Sequence, residues 1–314
     1  MIKKIIILTF FSLFMYTNAP ATEELWLHDI PVSKLYELYK KIGYTGTEEK
    51  NWLMLKSQSY PAVLLKNFPP DFNSITDREE RNALFIKILA PLALKLNQQL
   101  WEERQTIVNI KKSLEDNNSL TSEQLNIIEN KASKYDIYTP YIGDSRRNFL
   151  IRELLNRIDI IPPSIMITIA AIETDFGSSR VVKEGNSLYK ILVWHTSSGL
   201  KPIGETEDDS YRIKIYPDIF KSMEDFALRI NSSPNFEFLR VARSQMRKSI
   251  TSPQIMGSDF AAYSFPNSEL RNYAGIIDYT SAYYELSIID RSSLGSLPLT
   301  PDISKQFSKF LIKK

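Results

Sequence analysis

Glu173 follows eight residues, Ile165, Met166, Ile167, Thr168, Ile169, Ala170, Ala171 and Ile172, that are apolar on nearly every side. Pro162, Pro163 and Ser164 mark a helix start before them, and Gly177 supplies a natural stop. The pattern predicts a helix buried all round with a carboxylate at its C-terminal end. Most glutamates at helix ends simply point at water. Here the position faces the negative end of the helix dipole, and the neighbouring Ile, Ala and Phe176 offer no cation, so a structural charge is poorly served. The dipole contributes about 0.3–1 kcal/mol, under one pKa unit at about 1.36 kcal/mol per unit, whereas apolar burial shifts a carboxyl by several units. Burial dominates, and the expected group is a carboxylic acid that holds its proton toward neutral pH, suited to general acid catalysis.

An acid of this kind commonly works with a second, more polar carboxylate. Downstream lies an acidic stretch containing Gly204, Glu205, Glu207, Asp208 and Asp209. It is flanked by two strand-like runs, residues 192–194 and 210–216. In the second, Tyr211, Ile213 and Ile215 alternate with Arg212, Lys214 and Tyr216, a period of two. The reading is a small β-lobe with carboxylates near a hairpin tip.

The remaining elements are mostly helical. Short apolar pieces around Leu35, Leu38, Ile42 and Trp52 to Leu55 suggest a small α+β segment near the start. A helix begins after Ser74 or Thr76 as cap, with Asp77, Glu79 and Glu80 in its first turn. Leu84, Phe85, Ile88, Leu89, Leu92 and Leu96 give it an apolar face, and Pro91 should kink it rather than end it. A separate helix is expected over 101–114, and Thr121 with Gln124 forms a capping box that opens another. Further helices are expected over 149–158, 220–230, 236–246 and 268–284. The fold class is therefore α+β and predominantly α-helical. The expected organisation is a signal peptide over 1–21, a mainly helical region over 22–135, a catalytic domain over 136–290 and a flexible Ser- and Pro-containing tail over 291–314.

Composition removes several classes of chemistry. The chain has no cysteine, which excludes Cys-based zinc, redox and thiol sites and means that the core holds without disulfides. His28 and His195 are the only histidines and lack ligand-spaced partners, so no metal is expected; His195 also lacks a nucleophile elbow for a Ser-His-Asp hydrolase. There is no Gly-rich phosphate loop, and no cofactor is expected. The formal net charge of +2, with Lys and Arg spread along the chain, gives no indication of a nucleic-acid partner.

Residues 169–179, Ile-Ala-Ala-Ile-Glu-Thr-Asp-Phe-Gly-Ser-Ser, followed by Glu184, Gly185, Asn186, Ser187, Leu188 and Tyr189, resemble the signature of glycoside hydrolase family 73. More narrowly the chain resembles the bacterial Bax-type glucosaminidases, with mannosyl-glycoprotein endo-β-N-acetylglucosaminidase-like domains. The likeness runs over about residues 30 to 290 and includes Asn67, Phe68, Phe85, Pro91, Asn97, Arg104, Ser222, Phe226, Asn231, Arg240 and Tyr273.

The resemblance implies a lysozyme-like fold with a small β-lobe and an N-terminal helical extension, and cleavage of the peptidoglycan backbone between N-acetylglucosamine and N-acetylmuramic acid. It implies Glu173 as the acid, a second carboxylate in the β-lobe for which Glu207 and then Asp209 are favoured, and Tyr273 at the cleft. Candidate sugar-contacting residues are Phe176, Asn186, Tyr189, Trp194 and Tyr263. The chain departs from the family in having Phe176 where Trp is usual, which keeps an aromatic wall but loses an indole donor. It also has Lys190 where Gly is frequent; its ammonium would pair with an acidic residue of the lobe, meet an anionic peptide stem or reach to water. Two other readings share the fold: a glycan-binding scaffold that has lost turnover, and a lytic transglycosylase with different products.

The first residues set the expected location. Lys3 and Lys4 precede an apolar run over 5–16 and then Ala19, Pro20 and Ala21, the layout of a cleaved secretory signal. The run is shorter than the about 20 residues a membrane span needs, although an uncleaved anchor would share the basic start. Export to the periplasm or cell envelope is expected, with no membrane span after cleavage. N-terminal sequencing of the exported protein should therefore begin at Thr22, and an intact Met1 in a membrane fraction would show an anchor instead.

Overall fold

In a computed structural model, the structure describes residues 24–44, 59–117, 119–194, 198–203, 211–248, 273–297 and 301–312. The expected signal peptide, the piece around Trp52, His195, the acidic stretch with Glu205, Glu207, Asp208 and Asp209, and Tyr263 lie outside these residues.

The protein is α+β and mostly helical. The chain opens with β1 (Leu25–Leu27), α1 (Val32–Lys41), β2 (Ser59–Pro61) and β3 (Val63–Leu65). Helices α2 (Arg78–Asn117), α3 (Ser122–Lys134), α4 (Gly143–Arg157), α5 (Pro163–Thr174) and α6 (Arg180–Gly185) follow. Strands β4 (Leu192–Trp194) and β5 (Tyr211–Ile213) precede α7 (Ile219–Ser232), α8 (Glu237–Lys248), α9 (Tyr273–Tyr283), β6 (Ser293–Gly295) and α10 (Pro301–Gln306). Strand pairs are short: β1 with β3 and β2 with β6 are parallel, and β4 with β5 is antiparallel with Trp194 opposite Tyr211.

Helix α2 corrects one expectation. Where two helices were expected, one helix of 40 residues runs from Arg78 to Asn117, with Pro91 inside it. At a rise of 1.5 Å per residue it is about 60 Å long. An interior proline costs about 3 kcal/mol. Against that, Leu84, Phe85, Ile88, Leu89, Leu92 and Leu96 are all fully or nearly fully buried, each contributing about 1.5–3 kcal/mol. Packing wins, and the apolar face continues through Leu100, Ile107 and Ile110, which are also buried. Asp77, rather than Ser74 or Thr76, caps this helix by accepting the Glu80 amide at 2.8 Å. The capping box of α3 forms as its sequence predicts, with Thr121 and Gln124 exchanging side-chain to backbone hydrogen bonds.

Two apolar clusters result. The main one takes residues from Leu25 to Phe307, and the second joins the far half of α2 to α3 and α4 through Ile107, Ile128, Tyr135, Leu150 and Leu154. Both clusters cross the boundary expected at residue 135. Among the described residues, no helix is long and apolar enough to cross a membrane.

The C-terminal residues overturn the expectation of a flexible tail. Strand β6 pairs with β2, Leu297, Ile303 and Phe307 enter the main core, and Ile312 donates its amide to the Trp26 carbonyl at 3.1 Å. Scattered apolar residues in a Ser- and Pro-rich segment look weak in sequence, yet Leu297, Ile303 and Phe307 join the main core. Phe307 is 1% exposed, so Phe307→Ala should destabilise the protein by about 3–5 kcal/mol, read as a lower denaturation midpoint; a loose tail would leave the midpoint unchanged.

Candidate active site

Helix α5 is buried along nearly its whole length, with Ile172 the one residue partly exposed. It packs against α2, α9 and the turn Leu286–Arg291. Both ends need partners for their free backbone groups. At the N-terminus, Ser164 donates its amide to Asp290 Oδ1 at 2.8 Å and its hydroxyl to Oδ2 at 2.7 Å, a carboxylate at the favourable end of the dipole. At the C-terminus, Asp175, Phe176 and Gly177 are successively left-handed, with φ of 47°, 51° and 79°. A Cβ on Gly177 would lie 2.9 Å from the Phe85 ring, so both conformation and space require glycine there. Thr174 accepts the Gly177 amide at 2.9 Å and locks the turn.

The lead-in to α5 is held with equal care. The Ile161 amide donates to Asn97 Oδ1 at 3.0 Å while Asn97 Nδ2 donates to the Ile161 carbonyl at 2.7 Å. Arg104 donates to the Ile158 carbonyl at 2.7 Å, Asn231 to that of Asp159 at 2.9 Å and Arg243 to that of Ile160 at 3.0 Å. Helices α2, α7 and α8 thus each fix part of residues 158–161. Asn97, Arg104 and Asn231 were singled out in the sequence only by resemblance; their work is to hold backbone.

Glu173 sits in the last turn of α5 and is 7% exposed. Tyr273, the first residue of α9, donates its hydroxyl to Glu173 Oε1 at 2.7 Å. Lys190 Nζ lies 3.8 Å from Oε2. Burial pushes the Glu173 carboxyl above its usual range, and the Tyr273 hydrogen bond and the Lys190 charge pull it back without cancelling the shift. The carboxylate also pushes the buried Tyr273 hydroxyl far above its ordinary value, second to burial itself, so it remains a donor.

Lys190 is the departure from the sequence reading. The cation absent from the immediate neighbourhood of Glu173 arrives from 17 positions downstream. It does so from a left-handed backbone of φ 46°, a conformation that costs a non-glycine residue on the order of 1–3 kcal/mol. The sequence signal was a lysine where glycine is frequent; the pairing itself is tertiary.

The expected sugar-contacting residues divide. Phe176 is partly buried between Phe85 and Tyr284, with ring centroids at 5.6 and 5.1 Å. Trp194 is 58% exposed and tilts against Tyr211 at 5.1 Å on the β4–β5 pair. Asn186 instead spends its amide on the carbonyls of Tyr216 and Pro217, at 3.2 and 3.4 Å, and terminates α6 in a left-handed conformation. Tyr189 is 1% exposed and stacks on Phe226 at 4.0 Å, which makes it a core residue rather than a groove wall. Tyr284, which the sequence did not single out, receives a hydrogen bond from Asn82 at 2.7 Å and backs Phe176. Among the described residues, no group of three or more His, Asp or Glu is placed to hold a metal ion.

This geometry falls within a stretch shared with known proteins. Residues 150–293 match the family model described as mannosyl-glycoprotein endo-beta-N-acetylglucosaminidase. The chain is also 23% identical over 183 residues to Protein bax of Escherichia coli (strain K12), an alignment covering 57% of this chain and 61% of that protein. It thus spans about three fifths of the length of this curated relative. No solved structure matches. The matched stretch contains Glu173, Lys190 and Tyr273 together.

The upward shift of the Glu173 carboxyl has a consequence for stability. Above the ordinary glutamate value of about 4.3, the unfolded chain releases a proton that the folded protein still holds, so stability falls as pH rises through the folded value. The contribution is fully present only below about 4.3. Glu173→Gln should therefore melt at a higher temperature than the unsubstituted protein at neutral pH, with the margin shrinking toward pH 4; a pH-independent margin would show a carboxyl of ordinary acidity.

Proposed function

We propose that the protein is a peptidoglycan hydrolase, an endo-β-N-acetylglucosaminidase that cleaves the backbone between N-acetylglucosamine and N-acetylmuramic acid, with Glu173 as general acid. The observation that carries this reading is one buried carboxyl, raised in pKa, in the last turn of an apolar helix of a glucosaminidase domain. Protonated, it donates to the leaving glycosidic oxygen; the carboxylate that remains is held by the Tyr273 hydroxyl and faced by the Lys190 ammonium. Phe176 provides an aromatic surface three residues beyond the acid, and the exposed Trp194, tilted against Tyr211, a second on the β-lobe. For the second carboxylate we favour Glu207, then Asp209. We place the site of action outside the cytoplasm, in keeping with the amino-terminal sequence pattern.

One observation favours a second reading. An ammonium 3.8 Å from the acid opposes its protonation, as a glycan-binding scaffold without turnover would tolerate. Incubation with purified peptidoglycan and mass analysis of the released fragments separates the readings. Reducing N-acetylglucosamine ends support the hydrolase, anhydro-muramic ends a lytic transglycosylase, and no release the scaffold. Glu173→Gln keeps size and hydrogen-bonding capacity but cannot donate a proton to the leaving oxygen, so release should fall by about 10²–10⁴-fold with folding intact. Clearing at the unsubstituted rate would remove Glu173 from the chemistry.

A further inference from the structure

We infer that Lys190 is a positioning residue that tunes the acid, making Glu173 a stronger proton donor and confining turnover to the acidic side of neutrality. The inference rests on the proposed role of Glu173 as general acid.

Three observations carry it. The ammonium lies 3.8 Å from Glu173 Oε2, on the oxygen not taken by Tyr273, which holds Oε1. Its backbone is left-handed at φ 46°, a conformation that glycine adopts freely and lysine does not. A side chain kept at a strained position, reaching a buried carboxyl, points to a function for the contact rather than to an incidental surface charge. Finally, the Lys190 side chain is 35% exposed while that of Glu173 is 8% exposed, so the charge stands at the rim and acts on a carboxyl that solvent screens poorly.

Other charged groups around α5 do not duplicate this role. On α2, the Lys87 ammonium lies over the Tyr44 ring at 5.6 Å, and Arg78 faces Asp175, two residues beyond the acid, at 3.9 Å in an exposed pair. In the turn Leu286–Arg291, Asp290 holds the opposite end of α5 through Ser164. On α9, Tyr273 contributes a neutral hydroxyl. Among the described residues, the positive charge that faces Glu173 is that of Lys190.

The consequence has two signs. A nearby cation stabilises the carboxylate left after proton transfer, so the acid gives up its proton more readily once protonated. It also lowers the fraction of protein in which Glu173 is protonated as pH rises. Removing the charge should slow turnover at acidic pH, where the acid is protonated either way, and raise it at alkaline pH, where protonation limits the rate.

The test compares Lys190→Gln and Lys190→Arg in the full chain on purified peptidoglycan from pH 4 to 9. Alongside, the Glu173 carboxyl is titrated by carbon NMR of glutamate-labelled protein, assigned against Glu173→Gln. Lys190→Gln should give a profile that crosses that of the unsubstituted protein, with the ratio of kcat/KM at pH 8 to that at pH 5 rising several-fold. The Glu173 titration should move to higher pH, and Lys190→Arg should restore both. Lys190→Gly should shift the titration likewise and melt at a higher temperature, because it also relieves the backbone. A Lys190→Gln protein that is folded and titrates at Glu173 as before, or whose activity falls in parallel at every pH, overturns the inference. A shifted titration in a protein that releases no fragments sustains the Lys190 contact and instead overturns the hydrolase reading.

Discussion

Burying an apolar helix on all sides while keeping a carboxyl in its last turn sets the conditions that the rest of the structure meets. An all-round apolar surface requires neighbours on every side, which α2, α9 and the turn Leu286–Arg291 supply. Its terminal backbone groups still lack partners within the helix and need them from elsewhere. Ser164 with Asp290 at one end, and Thr174 with three left-handed residues at the other, meet that need. Residues 158–161 are irregular backbone close to the core, and the side chains of Asn97, Arg104, Asn231 and Arg243 bind their carbonyls one by one. A helix fixed in this way leaves the carboxyl at its end little freedom, which is the condition for holding a proton donor in place.

The carboxyl itself is held between opposed forces. Burial alone would keep it protonated over a wide range; a hydroxyl on one oxygen and an ammonium near the other favour the charged form. Neither partner is close in sequence. Tyr273 comes from the start of α9, 100 residues away, and Lys190 from a strained turn between α6 and β4. Acidity in such a site is a tertiary quantity, set by which elements meet at the end of α5.

The match to the glucosaminidase family model begins at residue 150, yet the matched stretch does not build its core alone. Helix α2 precedes it and packs along α5, and Phe85 and Asn97 of α2 touch the turn after the acid and the backbone before it. The C-terminal residues close the same core from beyond residue 293 through Leu297, Ile303 and Phe307. Residues on both sides of the matched stretch thus act as scaffold for the carboxyl, and the long proline-containing helix is tolerated because its buried face outweighs one missing hydrogen bond.

Much of this was legible in the sequence, and the division follows from range. The apolar run ending in Glu173, the Pro and Gly that bound it, the capping box at Thr121 and the two β-lobe strands are local patterns, because turn chemistry and periodicity act over a few residues. Resemblance carried Tyr273 to the acid without a local signal. Sequence alone did not reveal that α2 runs unbroken from Arg78 to Asn117, that the tail packs, that Tyr189 and Asn186 serve the core and a loop, or that Lys190 reaches Glu173. Each of these depends on burial against residues tens of positions away. Propensity yields to packing in α2; the aromatic ring of Tyr189 pairs with Phe226 rather than facing a groove; and the direction of the Lys190 side chain follows from a left-handed φ that composition does not encode. The sequence by itself determined that a carboxyl would be buried at the end of an apolar helix. Only the tertiary structure decided which hydroxyl and which ammonium would meet it, because hydrogen bonds and charges act through space and not along the chain.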